Sequence, residues 1–269
     1  MAAAGSAVTV HAHNLSTQVE VKRIEIELAR LPGEFDGFEL VQLSDIHFES
    51  YTTPEYLEEI VRQVNGIGPR LVVITGDFVT RFGEDKSRGR PAGPCGQILK
   101  KLQAPLGVYC VLGNHDAWSD PDFIVGALRE AGLSVLVNQS AAIEQGEKRF
   151  WLLGTGCYSH GDTKLWECVR GVPREEPRIL LVHEPDFADS IENYVIDLQL
   201  SGHSHGGQIR FPGVGALYLP PLARKYPMGF YKLATHPLYT NVGVGSIGVP
   251  LRLGCPPEIT HIMLRAKQA

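Results

Sequence analysis

Five times along this chain a short apolar run ends in a cluster of carboxylate, imidazole or carboxamide side chains. The clusters are Asp45-Ile46-His47, Gly76-Asp77, Gly113-Asn114-His115-Asp116, His183-Glu184 and Gly202-His203-Ser204-His205-Gly206-Gly207. The runs before them, such as Leu-Val-Val-Ile-Thr at 71–75, read as short strands covered on both faces. In an open α/β sheet the loops at the C-terminal strand ends converge on one rim, where ligands bind. Few other arrangements bring five clusters so far apart in sequence to one place.

The elements between the clusters fit that frame. Alternating apolar and charged residues from Val19 predict a half-exposed strand, and a second strand runs from Phe38 to Leu43. Thr53 as N-cap with Pro54 behind it opens a helix that is expected to stop at Asn65-Gly66. Asp120-Pro121 opens another, reaching Ala131. Residues 83–96, rich in Gly, Pro, Lys and Arg, read as a surface loop, and residues 161–177 as irregular. Further strands are expected at 71–75, 107–112, 140–144, 150–154, 178–182, 197–200 and 259–264. Strand–helix alternation in the first half and β-rich sequence in the second predict one α/β domain with two sheets.

Composition excludes several classes. Of 269 residues, 43% are hydrophobic and 20% charged, which rules out a disordered or collagenous chain. The formal net charge of −5 provides no basic face for dedicated nucleic-acid binding. Five widely spaced cysteines without a CxxC pair suggest neither a zinc knuckle nor a disulfide scaffold; cytosolic thiols are expected, with one periplasmic disulfide as the alternative. There is no run of 18 apolar residues and no signal-like start before Lys22. The expectation is therefore a cytoplasmic protein, with residues 1–18 as a flexible tail and 19–269 as the domain.

The side chains of the clusters suit Zn²⁺, Mn²⁺ or iron. Asp45 and His47, like His203 and His205, stand two apart at a strand end and can aim at one ion. Asp77 is placed to offer an oxygen to each of two ions, and two such ions can clamp a phosphoryl group. Five of the ten histidines fall in these clusters.

Asp-Ile-His, Gly-Asp, Gly-Asn-His-Asp, a lone His and Gly-His-Ser-His, in this order, resemble the calcineurin-like metallophosphoesterase superfamily. Phe-Asp-Gly-Phe-Glu-Leu-Val-Gln-Leu-Ser at 35–44 and Pro-Glu-Ile-Thr at 257–260 are similar to its bacterial phosphodiesterase branch related to YkuE and YaeI. The resemblance implies a four-layer α/β/β/α sandwich, two packed mixed sheets flanked by helices. It implies a first metal held by Asp45, His47, Asp77 and His205, and a second by Asp77, Asn114, His183 and His203. His115 would contact the phosphate and protonate the leaving oxygen, with Asp116 orienting its ring. Attack would be in line, by a metal-bridging hydroxide. Some relatives cleave a UDP-diacylglucosamine lipid precursor, so the implied substrate is a small-molecule or lipid phosphate, with peripheral membrane contact as an option. The chain departs from the pattern at Thr80, where protein Ser/Thr phosphatases of the superfamily carry Asp and purple acid phosphatases carry Tyr.

Residues 218–230 mix aromatics and prolines with Arg224 and Lys225, and are expected to form either a hairpin packed on the sheet or a lip beside the metals, where Arg224 or Lys225 meets a second phosphate and the apolar residues meet a base or acyl chain. His160 and Asp162 lie in a Gly-rich loop within reach of such a site, and Cys157 reads as a structural thiol. His11, His13, His236 and His261 read as surface or strand positions. A phosphomonoesterase and a non-catalytic scaffold of the same fold remain the alternatives.

Overall fold

The computed structural model describes residues 18–80 and 89–267. In chain order the first half comprises β1 (Glu20–Leu28), β2 (Phe38–Leu43), α1 (Pro54–Ile67), β3 (Leu71–Ile74), α2 (Ala92–Leu99), β4 (Val108–Cys110), α3 (Asn114–Trp118), α4 (Pro121–Glu130) and β5 (Ser134–Val135). The second half comprises β6 (Gln139–Gln145), β7 (Lys148–Gly154), α5 (Leu165–Cys168), β8 (Arg178–Leu181), β9 (Leu198–Ser201), β10 (Arg210–Phe211), β11 (Gly215–Ala216), β12 (Gly229–Lys232), β13 (Pro237–Thr240) and β14 (Glu258–Ala266).

Two six-stranded mixed sheets result, ordered β1-β14-β2-β3-β4-β5 and β12-β13-β9-β8-β7-β6. The period of two along each strand explains why both faces are apolar. Leu71 and Val73 face the other sheet, whereas Val72 and Ile74 face α1, α2 and α4. Ile179 and Leu181 likewise enter the layer between the sheets, while Leu180 and Val182 pack outward against α5 and the 3-10 segment Pro185–Ser190. The expected four-layer α/β/β/α sandwich is the observed one, with a thin second helical layer.

Two local expectations are corrected. Helix α1 runs through Asn65-Gly66 and ends at Gly68, whose φ of 71° supplies the left-handed stop. Asn65 instead joins the turn after α2, donating to Lys101 O (2.9 Å) and accepting from Gln103 N (2.8 Å). The expected loop at 83–96 contains the first half of α2; residues 81–88 lie outside the described ones. Helix α2 forms there because Ala92, Cys95, Ile98 and Leu99 are buried along one face, and because Gly96 lets α4 approach: a Cβ at Gly96 would sit 3.0 Å from Ala131 Cβ. A short helix, α5, also interrupts the stretch read as irregular.

All five cysteines are buried and free. No helix among the described residues is long and apolar enough to cross a membrane. His261 lies in β14, whereas His11 and His13 are outside the described residues. His236 is buried between Thr235 Oγ1 (2.8 Å) and Gln199 Oε1 (3.3 Å), and burial pulls its pKa down to about 4. Its folded pKa lies below the usual 6.5, so between those values the unfolded chain binds more protons. The neutral ring therefore stabilises the fold fully above about pH 6.5, and that contribution, on the order of 2 kcal/mol, is lost as the pH falls toward 4. His236→Gln should flatten the acid limb of a melting-temperature profile between pH 6.5 and 4.5. An unaltered limb would assign acid sensitivity to other groups.

Candidate metal centre

Each predicted cluster emerges from the end of a strand on one rim. Asp45 and His47 follow β2, Asp77 follows β3, Asn114 and His115 open α3 after β4, His183 follows β8, and His203 and His205 follow β9. Backbone bonds tie these exits together: Asp45 N donates to Gly76 O (2.9 Å), His47 N to Asp77 O (3.0 Å) and Gly202 N to His183 O (2.9 Å). Asp45, His47, Asp77, His203 and His205 all hold positive φ, between 49° and 69°. Such backbone costs an L residue on the order of 1 kcal/mol and persists where surrounding bonds enforce it.

The side chains gather into two buried groups, Asp45–His47–His205 and Asp77–His183–His203. His47 Nε2 and His205 Nε2 face each other at 3.1 Å, and Asp45 Oδ1 lies 3.3 Å from His205 Nε2. Asp77 Oδ2 lies between the groups, 3.5 Å from His47 Nε2 and 3.3 Å from His183 Nε2. Asn114 Oδ1 is 3.2 Å from the same His183 nitrogen. The structure thus brings all seven expected ligand residues together.

Neighbouring groups set the ring orientations. His183 Nδ1–H donates to Thr75 O (2.6 Å), turning Nε2 to the cluster. His203 Nε2–H donates to Pro221 O (2.9 Å), leaving Nδ1 for the cluster. His47 Nδ1–H donates to Thr80 Oγ1 (2.8 Å), so the residue that departs from the superfamily pattern serves His47. The Arg252 guanidinium lies against the outer edge of His205, its Nη2 3.3 Å from Nδ1.

Electrostatics favour a cation. Burial holds His47 down at about 3 and lowers His205 and His203, which keeps their lone pairs free. Burial also pulls on His183, but Asp77 outweighs it and holds that ring well above the usual imidazole value, a mark of local demand for positive charge. Burial pushes Asp45 up to about 6. Facing lone pairs beside buried carboxylates fit a pair of divalent ions.

His115 lines the cavity above the clusters, its ring edge-on to His47 (centroids 5.0 Å apart) and its backbone N–H donating to Asp77 Oδ1 (2.9 Å). The role expected for Asp116 is corrected. Its carboxylate accepts from the backbone N–H groups of Phe78 (2.9 Å), Val79 (3.2 Å) and Gly113 (2.9 Å) and locks the loops after β3 and β4 together. Adjacent helical side chains also diverge by about 100°, so Asp116 does not share the face of His115. Burial, and after it Asp77, push Asp116 up to about 7.

Arg224 and Lys225 do not line the cavity. Their backbone N–H groups donate to Asp186, and Lys225 Nζ pairs with Asp189 (2.8 Å), so the basic end of the expected lip faces the 3-10 segment, whereas Tyr218 and Pro220–Leu222 line the cavity. His160 and Asp162 line a separate cavity beside Arg129 and Asp122, whereas Ser159 reaches the metal-centre cavity. Buried Cys157 lies 3.2 Å from Glu184 Oε1, and burial raises its pKa, as suits a structural thiol.

Arg252 is the main residue that sequence reasoning missed. Fully buried, it donates to the carbonyls of Val242 (2.9 Å), Gly243 (3.2 Å), Gly245 and Cys255 (3.3 Å). That loop lies against the first group: Val244 N donates to Ser44 O (3.0 Å) and Gly245 N to Asp45 O (2.9 Å). The one sequence signal was a lone charge in an otherwise uncharged stretch, 241–257.

Two imidazole–carboxylate groups joined by one aspartate, on the rim of a two-sheet sandwich, make the kind of centre that handles phosphoric esters with two cations. The chain belongs to the calcineurin-like phosphoesterase family, whose model matches residues 38–207. It is 34% identical over 257 residues to the uncharacterized metallophosphoesterase YkuE of Bacillus subtilis, covering 92% of this chain and 86% of that protein. It is 31% identical over 233 residues to phosphodiesterase YaeI of Escherichia coli (84% and 82% covered). The crystal structure of TT1561 of Thermus thermophilus shares the fold, with a TM-score of 0.52 at 12% identity over 77% of this chain and 90% of that one. Family membership makes the chain a metal-dependent phosphoric ester hydrolase.

Proposed function

We propose that the protein hydrolyses a phosphodiester or pyrophosphate bond of a small molecule or lipid head group, a nucleotide-lipid such as UDP-2,3-diacylglucosamine being one member of that class. The observation that carries this reading is Asp77 Oδ2, set between two groups of ligands at 3.5 Å and 3.3 Å. Asp45, His47, Asp77 and His205 would hold one divalent ion, and Asp77, Asn114, His183 and His203 the other, with manganese, iron or zinc as the candidates. Bound there, the pair would neutralise phosphate charge and acidify water.

The chain's own residues do the rest. Asn114 and His115 face the cavity from the start of α3, and the bond from His115 N–H to Asp77 fixes that turn relative to both groups. The His115 imidazole would bind a phosphoryl oxygen and give its proton to the leaving oxygen. The name phosphodiesterase on YaeI supports the diester reading. The uncharged, exposed side chains of Val214, Leu217 and Tyr218 support contact with a lipid surface. We also take residues 19–269 as the working unit.

With Mn²⁺ present, the protein should turn over bis-p-nitrophenyl phosphate faster than p-nitrophenyl phosphate, and chelator should abolish both activities. Preference for the monoester would favour the phosphatase reading. Failure to take up any metal at micromolar concentration would leave the scaffold.

A further inference from the structure

The loop after β7 brings one further side chain to the metal centre from the second sheet. Ser159, at its tip, lines the same cavity as Asn114 and His115. Among the described residues the cavity lining holds no lysine or arginine. Oxygens of a bound ester that lie beyond the two ligand groups must therefore be met by neutral donors. Much of the remaining polar lining is already engaged. Ser204 Oγ accepts from Gly206 N (2.9 Å). Buried Gln208 donates to Ile247 O and Val249 O (3.1 Å each) and accepts from Ile247 N (2.8 Å), clamping those two loops together.

Glu184, the residue after His183, sets the place of Ser159. Its fully buried carboxylate accepts from the backbone N–H groups of Tyr158 (3.1 Å) and Ser159 (2.9 Å) and from the Cys157 thiol (3.2 Å). A buried charge is costly unless bonded, and here these donors all come from one loop tip. The base of that loop is closed by Asn138 Oδ1, which accepts from Gly156 N (2.9 Å) and Lys164 N (2.8 Å). Beside the tip, the Tyr158 ring packs edge-on against Phe187, centroids 4.9 Å apart. The Ser159 hydroxyl itself stands 3.2 Å from Cys157 Sγ and beside the Glu184 carboxylate. With the thiol proton committed to Glu184, the hydroxyl is the donor of that pair, and sulfur is a weak acceptor. Glu184 keeps its other three donors if the hydroxyl turns away, whereas a bond to a phosphoryl oxygen is charge-assisted.

We propose that Ser159 is a substrate-binding residue whose hydroxyl donates to an oxygen of the ester above the centre, and that Glu184 is the residue that positions it. The inference rests on the phosphodiesterase reading above and is independent of what the ester carries. It gives Glu184 two neighbours to serve, the His183 turn behind it and the loop tip in front of it. The second sheet then supplies a contact to the substrate as well as ligands to the centre.

The test uses the Mn²⁺-loaded full chain, with bis-p-nitrophenyl phosphate as substrate and inorganic phosphate as a calorimetric ligand. Ser159→Ala should raise KM and the phosphate Kd about tenfold, the order expected for a lost bond to a charged group. Its kcat should stay within about twofold of wild type, as for binding that is uniform along the reaction. Ser159→Thr keeps the hydroxyl and should restore both values. Both oxygens of Glu184 accept from the loop, so Glu184→Gln sets an NH₂ against one of its N–H groups. That variant should raise KM by a similar factor while still holding two Mn²⁺. In the Ser159→Ala background the same change should add less than about twofold, a coupling that a merely structural role would not produce. His160→Ala, on the same loop but lining the separate cavity, should leave both values unchanged. Wild-type KM and phosphate affinity in Ser159→Ala overturn the proposal. Effects of the two variants that multiply in full remove the positioning role of Glu184. If no diester is turned over yet Ser159→Ala weakens phosphate binding, only the phosphodiesterase reading fails.

Discussion

Asp77→Asn should lower kcat for bis-p-nitrophenyl phosphate by about a thousandfold or more and leave the fold intact. The substitution keeps shape and volume at a position that is 2% exposed. Asn adopts positive φ as readily as Asp, so the backbone at φ 57° gains no new strain. Asn Oδ1 can still accept from His115 N–H, so the start of α3 should hold. What changes is the atom between the groups. An amide NH₂ would stand where Oδ2 now lies 3.5 Å from His47 Nε2 and 3.3 Å from His183 Nε2. It has no lone pair to share and no charge to draw cations. Losing a pre-set charge interaction at a reacting centre costs about 10²–10³ in rate, and here both groups lose it together. Metal analysis should find fewer than two Mn²⁺ per chain, with a melting temperature of the metal-free protein near wild type. Activity above a tenth of wild type would show that Asp77 does not join the groups.

The second large effect is expected at Arg252, outside the stretch matched by the family model. Arg252→Met removes donors to four buried carbonyls and the guanidinium contact with His205. Each buried acceptor left without a partner costs about 1–3 kcal/mol, partly offset by relaxation of the loop. A net loss of about 3 kcal/mol corresponds to a melting temperature lower by about 6–12 °C. Because the same loop backs Asp45, Mn²⁺ should bind more weakly to the Asp45–His47–His205 group than to its neighbour. Arg252→Lys should recover little, since an ammonium cannot span carbonyls on several sides as a planar fork does. A variant that melts within 2 °C of wild type and still holds two ions would reduce Arg252 to a spectator.

What could be read from the sequence follows from the range of the interactions. Phe38–Leu43 and Leu71–Ile74 are recognisable because an apolar run with turn residues at both ends has one stable solution. The seven proposed ligand residues are recognisable because each lies within a few residues of such a strand end. Helix α2 was hidden because Gly96 is chosen by its contact with α4, 31 to 35 residues away, against its own helix propensity. Arg224 and Lys225 were misplaced for a similar reason. Their proximity in sequence to the last ligands says nothing about Asp186 and Asp189, which claim them from across the second sheet's outer layer. Thr80, Gln208 and Arg252 act through contacts that close long loops, and no local pattern encodes those.

The left-handed backbone at Asp45, His47, Asp77, His203 and His205 has a consequence for anyone who tries to harden this protein. Glycine at any of these sites would relieve that strain by about 1 kcal/mol, but at Asp45 and Asp77 it would also leave the buried N–H groups of His203 and His115 without their acceptors. A selection that rewards heat resistance alone would therefore be drawn first to the three histidine positions, His47, His203 and His205. The most robust survivors of such a screen should be well-folded proteins that no longer hold metal.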